Sequence, residues 1–165
     1  MRNKEIEIKQ VSPREYGDFL LQVLEIAFEH PLDYPGTEQD PLFHNYKNAL
    51  FNAEGATLVA ASDDVLLGAA WYRNYPEDLP GYADVNDAAE VSIGIIPEER
   101  GKGIGLRLLQ DLVEVAVNER VEALCLDVLN DNYAAIELYM RVGFQAIREG
   151  EDSMTMILDL NEGMH

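Results

Sequence analysis

The chain is short of positive charge. Its 165 residues hold 12 Lys and Arg against 31 Asp and Glu, a formal net charge of -19. Such an excess repels nucleic acid and anionic lipid, so neither a nucleic-acid nor a membrane partner is expected. Cysteine is nearly absent: Cys125 stands alone, which excludes a disulfide framework and points to a reducing compartment. No apolar run approaches the ~20 residues of a membrane helix. The opening MRNKEIEIKQ lacks the apolar core of a signal peptide. A cytoplasmic location is expected. His30, His44 and His165 show no ligand spacing, so no metal site is expected. Repeats, low-complexity tracts and linkers are missing too, and 47% hydrophobic residues suffice for a core. One domain over residues 1–165 is the reading.

A local absence is sharper. From Asn74 to Glu99 there is no Lys, Arg or His, while Glu77, Asp78, Asp84, Asp87, Glu90, Glu98 and Glu99 fall inside the stretch. Either this is a solvated face, or it is an acidic cleft that draws cations.

What is there alternates between two periods. IEIKQV (6–11) reads as a strand. Ser12-Pro13 reads as a cap with Pro at the first helical position, opening a helix to about Glu29. Residues 30–41 hold three prolines and read as loop, and 42–52 as a short helix. Residues 56–62 and 65–73 read as strands around an Asp63-Asp64 turn, followed by a long polar loop. EVSIGII (90–96) is a strand stopped by Pro97, and 104–120 a helix with Leu108, Leu109, Leu112, Val115 and Ala116 on one stripe. Then come a strand (122–128), a helix (133–142) stopped by Gly143, and a closing hairpin. The pattern predicts one α/β sheet. Cys125, in an apolar strand, reads as an inert core thiol. Trp71 and Tyr72 read as core or cleft wall, and Tyr16, Phe19, Tyr34 and Tyr46 as core or pocket lining.

Between strand and helix stands IPEERGKGIGLRLL, with Gly101, Gly103 and Gly105 on alternate residues and Arg100, Lys102 and Arg107 nearby. First-turn N–H groups lack helical partners, the dipole favours negative charge, and glycine admits a phosphate closely. The turn is therefore an anion site. A phosphate-binding P-loop needs G-x-x-x-x-G-K-[ST], which is absent. A dinucleotide fingerprint needs a third glycine where Leu106 stands, although Asp127 could serve as the ribose-binding acid.

Two motifs in order are more specific. Arg100, Gly103 and Gly105 match Q/R-x-x-G-x-G/A, and Asn132, Ala135, Leu138, Tyr139, Gly143 and Phe144 match N-x-x-A-x-x-L-Y-x-x-x-G-F. On these residues the chain resembles the GNAT family of N-acetyltransferases, over roughly residues 56–160. The resemblance implies a single mixed, mostly antiparallel sheet flanked by helices, with acetyl-CoA as cosubstrate. It implies that N–H groups from Gly101 through Lys102, Gly103, Ile104 and Gly105 to Leu106 hold the pyrophosphate, backed by Arg100. It implies that backbone groups of Ile93, Gly94 and Ile95 hold the pantetheine arm. Gly94 within a strand indicates a bulge, a close backbone approach or simple packing. Asn132 either binds the arm or caps the helix.

The implied reaction is direct acetyl transfer to a primary amine. Tyr139 is the implied proton donor to the leaving thiolate; on periodicity alone it is a core residue. Glu90 and Asp127 compete as general base, with Glu90 ahead, and a water relay is the third account. The acidic stretch makes a cationic acceptor the expectation, whether small molecule or peptide. The alternatives are a CoA-binding sensor without turnover and a dinucleotide-binding oxidoreductase. The residues fix neither the acceptor nor the acyl chain, and they leave a homodimer open.

Overall fold

A computed structural model describes residues 5–28 and 40–161. Seven strands form one sheet: β1 (Glu7–Gln10), β2 (Gly55–Ser62), β3 (Val65–Arg73), β4 (Ala89–Ile95), β5 (Ala123–Leu129), β6 (Gln145–Glu149) and β7 (Ser153–Asp159). Their order is β1-β2-β3-β4-β5-β7-β6. The expected mixed, mostly antiparallel sheet is what the chain forms. Only β4 and β5 run parallel among the described strands. The closing hairpin turns back so that β7 inserts beside β5 and leaves β6 outermost.

Local chemistry explains the joints. The β2–β3 turn places Asp63 and Asp64 at φ 50° and 66°, the left-handed pair a two-residue hairpin needs, and Ser62 pairs with Val65. The helices are α1 (Gly17–Ala27), α2 (Phe43–Asn52), α3 (Ile104–Asn118) and α4 (Tyr133–Val142). The single helix expected from Ser12 onward is instead a 3-10 turn over Pro13–Tyr16 followed by α1. Tyr16, at φ −122° and ψ 25°, breaks the helical path, and the Ser12 side chain caps nothing. The expected end at Glu29 and the loop expected over 30–41 lie mostly outside the described residues, as does Tyr34.

Strand alternation sorts the core onto two faces. On one, α3 buries Ile104, Leu108, Leu109, Leu112 and Ala116 against Leu58, Ala70, Val91 and Leu126. Each fully buried leucine contributes roughly 1.5–3 kcal/mol. On the other, α1 and α2 pack Leu20, Val23, Leu24, Tyr46 and Leu50 against Val59, Ala69 and Trp71. Tyr16 and Phe19 border this second cluster, and Tyr72 belongs to the first.

Arg73, 2% exposed, ties α2 to the β2–β3 hairpin. It donates twice to the Leu50 carbonyl, and once each to Ala56 O, Tyr72 O and Thr57 Oγ1, at 2.6–3.2 Å. Burial pulls its pKa down to about 10, so it stays charged at neutral pH. It faces Glu90 across the β3–β4 ladder yet makes no ion pair with it.

Candidate active site

The site begins where β4 and β5 part. Their pairing consists of Ala89 with Leu124 and Glu90 with Cys125, and nothing beyond. Ile96 N–H donates to Leu67 O at 2.9 Å, so by alternation Ile95, Ile93 and Val91 turn their backbone groups away from β3, into the opening. Among the described residues no strand fills these ladder positions. Gly94 departs from the expectation. By the same alternation its N–H and C=O face β3. A Cβ there would meet Val23 Cγ1 and Val23 O at 2.9 Å, so glycine is present because α1 crosses closely. The face it shares with Glu90 and Ser92 is covered by α1 and by the 79–88 loop, not open to a cofactor arm.

At the far end of β4, Pro97–Glu99 form a 3-10 turn and the glycines follow. Gly101 and Gly103 sit at φ 80° and 82°, and a Cβ on either would touch nothing within 4 Å. Glycine is demanded there by conformation, in front of open space. Gly103 is the N-cap of α3 and offers no side chain, and no acidic residue lies in the first turn. The N–H groups of Ile104, Gly105 and Leu106 therefore have no intrahelical partner. Arg100 Nε reaches Ile95 O at 3.3 Å, linking the turn to the open edge of β4. Two neighbouring cations are otherwise engaged: Lys102 pairs with Glu99 at 2.8 Å, and Arg107 donates to Ile6 O at 3.0 Å.

The two candidate carboxylates share one face but not one environment. Glu90 is 4% exposed. Its Oε2 accepts a short hydrogen bond from the Tyr46 hydroxyl, and Oε1 accepts from Ala83 N–H at 3.3 Å. Tyr46 Oη in turn accepts from Tyr82 N–H at 2.8 Å. A Cβ on Gly81 would lie 2.4 Å from Glu90 Oε1, so the loop closes on the carboxylate only because residue 81 is glycine. Burial raises the Glu90 pKa to about 7, with the hydrogen bonds from Tyr46 and the loop acting against it. Tyr46 is driven upward by burial and then by the Glu90 charge. The Tyr75 ring stands 5.1 Å from that of Tyr46, and burial raises its pKa too.

Asp127 is two residues past the last β4–β5 pair, on the edge of the opening. It lines a cavity of about 340 Å³ with Tyr82, Arg148, Ser153 and Thr155. Thr155 Oγ1 donates to it at 3.1 Å. Burial raises its pKa, opposed by Ser153, Thr155 and the Arg148 charge. Sequence reasoning named neither Tyr46 as the Glu90 partner nor Arg148 at the cavity; both depend on pairings between distant segments.

Tyr139 lies on the other face, on α4, with its ring centre 5.9 Å from that of Phe144. It is partly accessible, and burial pushes its phenol up to about 12. Leu138, its neighbour, would lie 3.4 Å from a Cβ on Gly105, so this turn of α4 packs at the start of α3. Asn132 is seen as a cap: its Oδ1 accepts from Ala135 N–H at 3.3 Å. Cys125 is buried, with burial raising its thiol to about 12. Among the described residues no His, Cys, Asp and Glu cluster could hold a metal ion, and no helix is long and apolar enough to cross a membrane.

The sequence model of the acetyltransferase (GNAT) family matches residues 22–144. The chain belongs to the GNAT family. Its relatives within that family include the N-alpha-acetyltransferase RimI of Mycobacterium tuberculosis. The two are 40% identical over 124 residues, 67% of this chain and 73% of RimI. The mouse thialysine N-epsilon-acetyltransferase is 26% identical over 161 residues, 87% of this chain and 86% of that protein. Against another, the uncharacterized N-acetyltransferase YobR of Bacillus subtilis, the match is 40% over 71 residues and spans only 27% of YobR. The GNAT fold is also seen in the PaiA N-acetyltransferase of Thermoplasma acidophilum in complex with coenzyme A. It has a TM-score of 0.70 and 18% identity, covering 94% of this chain and 99% of that one.

Proposed function

We propose that the protein is an acetyl-CoA-dependent N-acetyltransferase acting on a primary amine that arrives as its ammonium. The observation that carries this is the coincidence of an unfilled β4 edge with the open glycine turn at α3. An edge and a helix mouth in series fit a long ligand with amide groups at one end and phosphates at the other. The residues fit acetyl-CoA: Gly101 to Leu106 with Arg100 for the pyrophosphate, and Val91, Ile93 and Ile95 for the pantetheine amides. Acetyl-CoA supplies an activated acetyl thioester there.

The remaining work falls to side chains. Overall an ammonium and a thioester give an amide, a free thiol and one proton: an N–C bond forms and a C–S bond breaks. Asp127, open to the cavity, holds the ammonium. Glu90, with a pKa of about 7, has the proton affinity of a base at neutral pH and takes the proton through water past the 81–84 loop. The Tyr139 hydroxyl gives a proton to the departing sulfur. The exposed Glu77, Asp78, Asp84 and Asp87 add a field that favours cations near the loop.

The test is thiol release from acetyl-CoA across a panel of amines, run beside thermal stabilisation by acetyl-CoA and by NAD. The expected result is stabilisation by acetyl-CoA alone and amine-dependent release. Stabilisation without release for any amine would favour a sensor, and stabilisation by NAD a dinucleotide enzyme.

A further inference from the structure

Among the described residues no helix covers one face of the sheet beyond β4, and several of its side chains are polar. Register places three of them in a row. Asp127 on β5 pairs with Thr155 on β7, and Thr155 pairs with Arg148 on β6. Residues directly opposite in an antiparallel ladder share a face. The irregularity between Ala146 and Arg148 on β6 sets that phase, because it skips Ile147 and brings Arg148 opposite Thr155. Acid, hydroxyl and guanidinium therefore stand side by side, all lining the same cavity.

The two charges in the row attract each other without closing into a contact pair. No ion pair joins Asp127 and Arg148 among the described residues. Arg148 uses Nη2 on Ala83 O at 2.6 Å and on Asp84 O at 3.4 Å, which anchors the guanidinium over the cavity and leaves Nη1 and Nε without a protein acceptor. Asp127 accepts from Thr155, and a carboxylate has about four acceptor positions. Both groups can take more partners. In a chain of net charge -19 a lone guanidinium at a polar cavity is also unusual: Arg148 is the only cation lining it.

Two strand separations put the Asp127 and Arg148 backbones roughly 10 Å apart. Both side chains stand on one face and line one cavity, so a small ligand that carries both an ammonium and a carboxylate can reach both. Simple cationic amines and peptide N-termini lack the adjacent carboxylate and would leave Arg148 Nη1 and Nε unused.

We propose that the acceptor is a free α-amino acid, its ammonium held by Asp127 and its carboxylate by Arg148 on either side of Thr155. This rests on the acetyltransferase reading above and narrows its acceptor. Arg148 is a binding residue that sets specificity; it touches no reacting bond.

The experiment compares kcat/KM for acetylation of the protein amino acids with that for the same compounds as primary amides, in the parent, Arg148→Gln and Arg148→Lys. The parent should prefer the acids by roughly 10- to 100-fold, the range of a charge-assisted hydrogen bond. Arg148→Gln should bring that ratio towards one, and Arg148→Lys should keep part of it. A purely structural anchor for the Ala83 loop would lower both substrates together and leave the ratio alone, which would overturn the proposal. Amides acetylated by the parent as well as acids would also overturn it, with the acetyltransferase reading intact. If the folded parent acetylates neither series nor any amine, that reading falls and takes this one with it.

Discussion

On the α3–α4 side of the sheet an apolar layer runs from Ala56 on β2 to Leu160 beyond β7. On the opposite side α1 and α2 cover β2, β3 and part of β4, and then the cover stops. Beyond it stand Asp127, Thr155 and Arg148, which line a polar cavity. On the function proposed above, the difference teaches how one sheet would serve two substrates. The filled side would hold α3 so that its N-terminus binds the cofactor through backbone, and the unfilled side would recognise the acceptor through side chains that vary without disturbing the core. Perturbing the first should remove binding outright, while perturbing the second should redirect or slow the chemistry.

The largest effect is expected on the backbone device. Gly103→Asp should abolish stabilisation by acetyl-CoA, because a carboxylate would occupy the phosphate position. A Cβ at 103 meets no neighbour, but the positive φ strains any side chain there, so a thermal melt first establishes that the variant folds. Calorimetry on the folded variant decides, and unchanged affinity would remove the turn from the cofactor site. Next is Tyr139→Phe, which should keep acetyl-CoA binding and lower kcat by on the order of 10- to 10,000-fold. An equal kcat would leave Tyr139 as a packing residue against Phe144.

The smallest effects separate the two carboxylates. Glu90→Gln should abolish the acidic limb of the kcat/KM profile near pH 7, whereas Asp127→Asn should keep the limb and raise KM for the amine. A limb that survives in both variants would favour a water relay. Stability gives an independent reading. The Glu90 pKa is raised from 4.5 to about 7, so the folded state holds this proton more tightly than the unfolded chain. Its contribution is intact below pH 4.5 and is lost as pH rises through 7. Relative to the parent, Glu90→Gln should therefore gain roughly 1–3 kcal/mol between those limits, read by denaturant melts across pH.

The contrast between the two faces also explains what could be read beforehand. The cofactor side is local in sequence: strand, Pro97, glycines and apolar stripe occupy consecutive positions, and backbone chemistry depends on little else. Asn132, Tyr139 and Gly143 belong to one ten-residue helix and its ends. The face proposed for the acceptor joins segments 36 to 65 residues apart, such as Tyr46 with Tyr82 and Arg148 with Ala83. No spacing announces such pairs. Gly94 was ambiguous for a related reason, since the partner that explains it, Val23, lies far away along the chain. The break at Tyr16 was hidden because the apolar period runs through it undisturbed.

The guanidinium of Arg73 has a consequence for motion. A ten-residue helix ordinarily frays at its C-terminus within the native state, and its last amides exchange with solvent early. The carbonyl of Leu50, in the last turn of α2, is bonded to a group that also grips Ala56, Thr57 and Tyr72 on the hairpin. Opening that turn alone would cost the buried guanidinium two of its five hydrogen bonds. Helix and hairpin are therefore expected to exchange as one cooperative unit. Tyr46, one turn upstream, inherits that lifetime, and with it the enclosure around Glu90.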